Sequence, residues 1–280
     1  MRPVTLMDLL NVSPDADWAI PHFNVHNPLL ARGVVHAAEQ LRAPAVLAVG
    51  YQSLPHAGMA PLSAYLKALI EESDGMFALH FDHARDLDII RRALDLGFSS
   101  VMFDGSSRPF EENVRLTRQV VEMAREKGAS VEAEIGIVPS PGSTRENITF
   151  TDPAQAEEFA VRTGVDFLAV SLGSIHGMTS ADATLDEALI SRLKGIAPLV
   201  LHGASGVTSE AMAYAAAHGV RKININTALK IVAAHSIRET FAAKPDTDLL
   251  NAMDTATDAV TEKAAGYIRL FHAEGRLPRA

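Results

Sequence analysis

Eight short apolar or β-branched runs recur along the chain, and a longer amphipathic segment follows each of them. The runs lie at residues 19–25, 45–50, 77–82, 99–104, 130–135, 165–170, 198–203 and 221–226. The amphipathic segments lie at about residues 28–42, 60–73, 86–96, 109–127, 153–163, 185–195, 208–218 and 227–240. Strands that alternate with helices in this way favour a parallel sheet with helices packed on it.

Eight such units in 280 residues predict an α/β fold of the (β/α)8 TIM barrel type, formed as one domain over residues 1–280. An open, doubly wound sheet is the alternative fold for the same alternation. The helical pattern of residues 247–275 predicts extra C-terminal helices beyond the barrel, available to pack on a partner subunit.

Residues that begin and end helices stand at the borders of several amphipathic segments. The expected starts are Asp152 before Pro153, Ser107 and Arg108 before Pro109, and Thr208 before Ser209. The expected ends are Gly97, Gly128, Gly164 and Gly219. These residues place the helix boundaries independently of the apolar pattern.

Composition limits the chemistry that is open to the chain. It has no cysteine, so disulfides and thiolate ligands are excluded, and a bound metal would need histidine and carboxylate ligands. A formal net charge of −9 argues against a nucleic-acid partner. No apolar run approaches the roughly 18 to 20 residues that cross a membrane, and the N-terminal residues contain no apolar signal core, so we expect a cytoplasmic protein.

Three histidines follow separate strand-like runs. His83, His176 and His202 each come after such a run, and Asp82 directly precedes the first of them. The carboxyl ends of barrel strands meet at one mouth, so these imidazoles are expected to converge there. Three neutral nitrogen ligands with one open position are the usual set for catalytic zinc. The pattern therefore predicts a zinc site with a carboxylate beside it.

Further polar residues stand at the predicted strand ends, namely Asn24, Asp104, Glu134 and Asn224. Among the other histidines, His80 shares strand parity with Asp82 and is a candidate to hydrogen-bond a residue of the site. Those on helix or loop segments are expected to be surface or packing residues: His36, His56, His218, His235 and His272.

Two turns rich in small or amide side chains follow late strands and precede helices. They read HGASG at 202–206 and NINT at 224–227. Backbone N–H groups at helix N-termini bind phosphate, and the loops after strands 7 and 8 are the usual phosphate site of barrel enzymes. Gly203 allows close approach of the backbone, and Ser205 and Thr227 add hydroxyl donors. We therefore predict a phosphorylated substrate, with the metal and the helix ends supplying the positive field.

One segment interrupts the alternation. Residues 136–151 are rich in glycine, proline, serine and threonine and have no helical period. Loops of this length in compact domains are often lids or binding loops, and a disordered surface insertion is the alternative.

Taken together, these stretches resemble the class II, metal-dependent ketose-bisphosphate aldolases, with the likeness strongest to the tagatose-bisphosphate aldolase-like branch. The matching stretches are FNVHN (23–27), ALHFDHARDLDIIRRALDLGFSSVMFDGS (78–106), SVEAEIG (130–136), TGVDFLAVSLGSIHG (163–177), PLVLHGASG (198–206) and GVRKININTALK (219–230). The likeness covers nearly the whole chain. Its most specific parts are the Asp-His pair, the turn that contains His176 and Gly177, and the LHGAS turn.

The resemblance implies a role for each matching residue. His83, His176 and His202 would bind zinc, Asp82 would be an acid and base, and Asn224 would contact the enediolate. The residues implied to hold the phosphate of the substrate are Gly177, Gly203, Ser205, Asn226 and Thr227. Asn24, at the end of the first predicted strand, is a further candidate to bind the substrate. Asp104 and Glu134 match positions that hold a second or alternative metal ion in relatives. A monovalent cation such as Na+ near the phosphate is a further property of the family.

The activity implied by the resemblance is reversible cleavage of a phosphorylated ketose, similar to fructose- or tagatose-bisphosphate, to dihydroxyacetone phosphate and an aldehyde. A homodimer or homotetramer is the expected assembly. The chain departs from the family in the outer pocket, where IVPSPGSTREN replaces a Gly-Gly-x-Glu-type lid. Glu146 is the only acid of that loop and the candidate to exchange a proton with the enediolate, with water as the alternative.

Two further departures affect substrate selection. Met178 and the residues after it replace a usual Tyr and nearby Lys, and Gly50 or its neighbours replace a Ser or Thr. Another phosphorylated substrate, such as a deoxy sugar acid or a sulfonated sugar, therefore stays open.

Two functions of other kinds also stay open. A Schiff-base aldolase needs a lysine inside the barrel, and Lys222 is the only lysine in a predicted strand, with nothing in the sequence to indicate that it is desolvated. A non-catalytic paralogue, or a subunit that supports another aldolase, is motivated by the unusual lid. The intact Asp82 argues against that role, because a purely structural metal site needs no acid beside a ligand.

Overall fold

Eight parallel strands close into a barrel in the computed structural model, which describes residues 2–13, 15–139 and 148–278. Each strand pairs with the next in chain order, and β8 pairs back with β1. The strands are β1 (Ile20–Asn24), β2 (Ala45–Gly50), β3 (Phe77–Ala84), β4 (Ser100–Phe103), β5 (Ser130–Ile135), β6 (Phe167–Val170), β7 (Leu199–Leu201) and β8 (Val220–Ile225). The predicted (β/α)8 barrel is confirmed, and the alternative of an open doubly wound sheet is wrong.

Helices connect the strands and cover the outside of the barrel. They are α1 (Leu6–Leu10), α2 (Pro28–Gln40), α3 (Leu54–Ala57), α4 (Met59–Glu72), α5 (Leu87–Asp95), α6 (Phe110–Glu126), α7 (Pro153–Thr163), α8 (Glu187–Leu193), α9 (Ser209–His218), α10 (Thr227–Ala243) and α11 (Leu249–Leu270). Short 3-10 turns cover Tyr51–Ser53 and Ala204–Gly206. None of the helices in the described ranges has the length and apolar character needed to span a bilayer.

Most of the predicted helix boundaries are found. Asp152 and Thr208 are N-caps whose side chains accept hydrogen bonds from the backbone N–H of Gln155 and Ala211. The expected start at Ser107 and Arg108 is wrong, because Pro109 occupies the N-cap of α6 and makes no side-chain cap bond. The four expected glycine ends all have positive φ, which only glycine adopts without strain.

The C-terminal helix α11 packs on the barrel of its own chain. It lies against α2 and α10, and the approach to α2 is close at Gly33. A Cβ added there would lie 2.6 Å from Val260 Cγ1, so a larger residue would push the two helices apart. The helix predicted for residues 247–275 is confirmed, with α2 and α10 as its packing partners.

The barrel interior is polar at one level. Barrel cores are usually filled by branched apolar side chains. Here four fully buried polar residues, termed the interior polar layer, come from β1, β3, β5 and β8: His22, His80, Glu132 and Lys222. Such groups are costly to bury unless they are paired. Their position below the strand ends points to a role in the site above them.

Candidate metal centre and active site

Three imidazoles meet at the mouth of the barrel. The ring centroid of His83 lies 4.7 Å from that of His202 and 5.2 Å from that of His176. The centroids of His176 and His202 are 5.8 Å apart. Candidate ligand atoms of the three residues lie within 4.8 Å of one another. His83 lies inside β3, His202 directly after β7, and His176 in the loop beyond the end of β6 rather than directly after a strand. The structure therefore brings together the three histidines singled out from the sequence.

A local break in β3 turns His83 toward the mouth. Successive side chains of a strand point to opposite faces, so regular geometry would direct Asp82 and His83 apart. His83 instead has a φ of 58°, and the register between β3 and β4 shifts between Phe81 and Ala84. Such strained positions and bulges are concentrated at functional sites. The bulge lets both neighbours serve one site.

Buried carboxylates fix which ring nitrogens face the centre. His202 Nε2 lies 2.7 Å from Glu132 Oε1, and His83 Nδ1 lies 3.3 Å from Asp104 Oδ2. An N–H on each of these nitrogens leaves the other nitrogen of each ring with a free lone pair. Those two nitrogens, His202 Nδ1 and His83 Nε2, are 3.0 Å apart. Two nitrogens bound to one tetrahedral zinc at about 2.0–2.1 Å lie about 3.3 Å apart, so the donor set fits this ion.

A second group of possible ligands shares His83. Its other members, Asp104 and Glu134, are buried, and their candidate atoms also lie within 4.8 Å of one another and of His83. Burial and the nearby charge of Asp104 raise the pKa of Glu134 to about 8. A divalent cation would relieve the repulsion between these carboxylates, so the donor set fits a second or alternative ion.

Burial and the nearby charges give the three histidines different pKa values. Burial opposes protonation of His83, but Asp82 and Asp104 outweigh it and raise the pKa of His83 to about 9. Burial, reinforced by the charge of His83, lowers the pKa of His176 to about 3. Burial also lowers the pKa of His202. His176 and His202 are thus neutral at pH 7, and His83 holds a proton that a bound cation would displace.

Asp82 is a buried carboxylate beside the three histidines. Burial opposes its ionisation, but the charge of His83, followed by those of other histidines, holds the pKa of Asp82 well below its usual range. Asn24 Nδ2 donates to Asp82 Oδ2 at 2.8 Å. Asn24, expected at the substrate, thus orients this carboxylate from the end of β1, across β2. The arrangement presents an ionised acceptor for a substrate proton.

A buried ion pair that was not predicted from the sequence supports the site. Lys222 Nζ lies 2.7 Å from Glu132 Oε2 and donates to Asn224 Oδ1 at 2.7 Å. Both partners of the pair have no exposed side-chain surface. Strand parity could have revealed them, because Glu132 shares a strand face with Glu134 and Lys222 shares one with Asn224.

The same pair corrects one expectation from the sequence. Lys222 is fully desolvated, although nothing in the sequence indicated it. Its ammonium is bound by a carboxylate and an amide oxygen, whereas a Schiff-base lysine needs a free amine. This geometry does not support the Schiff-base alternative.

The two turns expected to bind phosphate lie side by side. Gly177 and Gly203 have φ values of 70° and 66°, and Asn226 is the N-cap of α10. His26, which was not predicted from the sequence to be a site residue, contacts Asn226 Oδ1 through Nε2 at 2.9 Å and Ser53 Oγ through Nδ1 at 2.6 Å. A ring N–H donated to the amide oxygen leaves the Asn226 amide hydrogens free for an anion. Ser205 Oγ accepts from Ala228 N at 3.4 Å and so links the two turns.

Gly203→Ala is expected to damage the predicted phosphate site more than it damages the fold elsewhere. An added Cβ would lie 2.8 Å from Ile175 O, and its φ of 66° is strained for any other residue. We expect KM for the phosphorylated substrate to rise at least several-fold in steady-state assays. Gly128→Ala is the matched control, because Gly128 has the same φ of 66° with nothing within 4 Å. That control is expected to lose only about 1 kcal/mol of stability and to keep KM, and equal KM values in both variants would contradict the assignment.

The long loop after β5 is anchored at both described ends. Ile137 and Thr149 form an isolated antiparallel bridge. Glu146, the candidate proton donor, lies outside the described residues. Met178 fills the space between the loops after β6 and β7, since a Cβ added at Gly206 would lie 2.5 Å from Met178 Cβ.

Comparison with known proteins shows one consistent family. The family model of class-II fructose-bisphosphate aldolase matches residues 4–276. The fructose-bisphosphate aldolase of Geobacillus stearothermophilus is 34% identical over 284 residues, covering 99% of each chain. The D-tagatose-1,6-bisphosphate aldolase subunit GatY of Klebsiella oxytoca is 36% identical over 267 residues, covering 93% of this chain and 94% of GatY. The crystal structure of the YdjI aldolase from Escherichia coli K12 superposes with a TM-score of 0.86 at 33% identity, over 98% of this chain and 97% of that one.

Proposed function

Because this chain belongs to the class II fructose-bisphosphate aldolase family, we propose that it reversibly cleaves a phosphorylated ketose to dihydroxyacetone phosphate and an aldehyde. The chain is a metal-dependent aldolase. The resemblance to this family that its motifs indicated is confirmed. The observation that carries the proposal is the meeting of His83, His176 and His202 beside the buried carboxylate of Asp82.

The three histidines are proposed to hold a zinc ion. Their nitrogen donors, the 3.0 Å separation of two of them and the carboxylates behind them support this assignment. When bound, the ion supplies Lewis-acid polarisation of the substrate carbonyl. Asp104 and Glu134 are proposed as ligands, with His83, of a second or alternative position.

Asp82 is proposed to move the proton at the bond that breaks. Its carboxylate takes the proton of the C4 hydroxyl, the C4–O bond becomes the aldehyde carbonyl, and the C3–C4 electron pair passes into the three-carbon fragment. Asn224 Nδ2 donates to the oxygen of that fragment that becomes negative. Lys222 supports this orientation because it occupies Asn224 Oδ1.

The phosphate of the three-carbon half is proposed to bind the three turns that follow β6, β7 and β8. The contributing residues are Gly177, Gly203, Ser205, Asn226 and Thr227. The N-terminus of α10 adds a partial positive charge at this point. Glu146 is proposed to return a proton to the three-carbon fragment, with water as the alternative donor.

The proposal is tested with the purified chain alone. Fructose and tagatose 1,6-bisphosphate, a phosphorylated deoxy sugar acid and a sulfonated sugar phosphate are assayed for release of dihydroxyacetone phosphate. We expect cleavage that disappears after verified removal of metal and returns with zinc. Activity that persists without metal, or no cleavage of any of these substrates by the zinc-loaded protein, would contradict the proposal. Borohydride in the presence of substrate is expected to trap no adduct at Lys222.

Zinc binding at pH 7 is expected to release about one proton from the protein. His83, with a pKa raised to about 9, is protonated in the metal-free protein below that pH and must lose its proton to become a ligand. Apparent zinc affinity should therefore fall about tenfold for each unit that the pH drops below 9. Calorimetry in buffers of different ionisation enthalpy measures the proton count. Asp104→Asn removes a carboxylate that raises the pKa of His83, so zinc binding to this variant should release fewer protons at pH 8. Release of no proton on zinc binding to the native protein at pH 7 would refute the assignment of His83 as a ligand.

The assembly is further proposed to be a cytoplasmic homodimer or homotetramer. Leu249 and Leu250 at the start of α11 are 61% and 71% exposed, and an interface would cover them. Light scattering coupled to gel filtration measures the state, and a monomer at working concentration would contradict the proposal.

A further inference from the structure

His22 lies below Asp82 in the interior polar layer and has no role in the reaction proposed above. It is fully buried on β1 and shares a strand face with Asn24, whose amide reaches Asp82. Its ring packs edge-on against His80, with centroids 5.3 Å apart and planes at 72°. His22 therefore points into the barrel, at the base of the active site.

The polar atoms of His22 have no hydrogen-bond partner among the described residues. Both ring nitrogens are buried. His80 Nε2 and Asp82 Oδ1 are also buried and have no hydrogen-bond partner among the described residues. Burial, followed by the charge of Lys222, lowers the pKa of His22 well below its usual value, so the ring is neutral with one donor and one acceptor. Buried groups of this kind are hydrogen-bonded in folded proteins, often to internal water.

The distances between these atoms are those of groups that share a water molecule. His22 Nε2 lies 3.9 Å from Asp82 Oδ2, and His80 Nε2 lies 3.9 Å from Asp82 Oδ1 and 4.0 Å from Glu132 Oε2. These separations are too long for direct hydrogen bonds. Two atoms each about 2.8 Å from one water, at an angle of about 90° to 110°, lie about 4.0 to 4.6 Å apart.

We propose that the interior polar layer binds structural water that joins His22, His80 and Glu132 to Asp82, and that His22 is thereby a positioning residue for this carboxylate. Asn24 holds Asp82 Oδ2 from one side. The water held by His22 and His80 fixes the carboxylate from below. Its rotation is then restricted, and an oxygen is kept in position for the C4 hydroxyl proton. This inference rests on the proposed role of Asp82.

Packing alone is the competing explanation for His22. An imidazole that merely fills volume would be replaced by an apolar side chain of similar size with loss of stability only. If the ring holds water, the same replacement also lowers activity, because the water loses a partner and Asp82 loses its support. His22→Leu removes both nitrogens at similar volume, His22→Gln keeps a donor and an acceptor, and Ile20→Val disturbs packing on the same strand face.

Steady-state kinetics of zinc-loaded variants tests the positioning role. We expect His22→Leu to lower kcat about tenfold with KM and zinc content near native values. His22→Gln should recover most of the loss, and Ile20→Val should keep native kcat. Native kcat in folded His22→Leu, equal losses in the Leu and Gln variants, or an equal loss in Ile20→Val would each overturn the proposal.

A crystal structure of the native protein, at a resolution that orders internal water, tests the site independently of activity. Density within hydrogen-bond distance of His22 and Asp82, absent in His22→Leu, is the expected result. Its absence in the native protein would overturn the proposal even if both variants fold poorly. If the native enzyme cleaves no ketose phosphate, the proposed function fails, and the density alone then decides the water site.

Discussion

Asp82→Asn is expected to lower kcat for cleavage of the phosphorylated ketose about 10²- to 10⁴-fold, because an amide cannot accept the C4 hydroxyl proton. The substitution keeps the shape of the side chain and the contact with Asn24, so KM should change much less than kcat. Stopped or coupled assays of dihydroxyacetone phosphate release at saturating substrate measure the effect.

Zinc content separates loss of proton transfer from loss of the metal. The charge of Asp82 raises the pKa of His83. Its removal therefore weakens the attraction of the site for a cation, but it also weakens the binding of the proton that competes with the cation at His83. The variant should therefore retain about one zinc per chain at pH 7. Asp88→Asn, on a carboxylate that is 92% exposed, is the matched control and should keep native kcat. A fully loaded Asp82→Asn enzyme with native kcat would remove Asp82 from the mechanism.

The barrel could be predicted from the sequence because burial imposes a period on every strand and helix. The eight runs became eight strands, and Asp152, Thr208 and the glycine ends set several helix boundaries. α1 and α3 escaped prediction because helices of five and four residues carry too few turns for an apolar period. The capping box of Thr5 and Asp8, visible in the sequence, was the available evidence for α1.

The three histidines could be singled out from the sequence because strand ends of a barrel share one mouth, but their orientation depends on the backbone. The left-handed conformation of His83 cannot be seen in a pattern that assigns alternate residues to alternate faces. His22, His26 and Glu132 were missed, and the burial of Lys222 was not predicted, for a different reason. Their partners are far away in sequence, and a charged or imidazole side chain in a strand is normally expected to face solvent. Strand parity places Glu132 with Glu134 and Lys222 with Asn224, but only closure of the barrel shows that this face is interior.

The Glu132–Lys222 pair connects fold stability with the site. Burial opposes ionisation of Glu132, but Lys222, followed by His202, holds the pKa of Glu132 well below its usual range. The Glu132 carboxylate thus contacts both the ammonium of Lys222 and Nε2 of His202, a proposed zinc ligand. A change at Glu132 should affect both the free energy of unfolding and the affinity for zinc.

Glu132→Gln is expected to lower the free energy of unfolding of the metal-free protein by about 3–5 kcal/mol, because it leaves the buried ammonium of Lys222 without a counter-charge. Zinc affinity should also fall about 10- to 100-fold, since His202 loses its charged acceptor. Urea unfolding and competition with a chromophoric chelator measure the two effects. Glu112→Gln, which breaks an exposed pair with Arg108, should change neither.

The double variant Glu132→Met/Lys222→Met separates the two roles of the pair. Two apolar side chains of similar volume remove the unpaired charge, so most of the lost stability should return. Zinc affinity and kcat should stay low, because His202 still lacks its acceptor and Asn224 lacks the donor that fixes its amide. Recovery of zinc affinity together with stability would show that the pair serves the fold alone. A double variant as unstable as Glu132→Gln would show instead that the polar network itself, rather than charge neutrality, holds the barrel interior together.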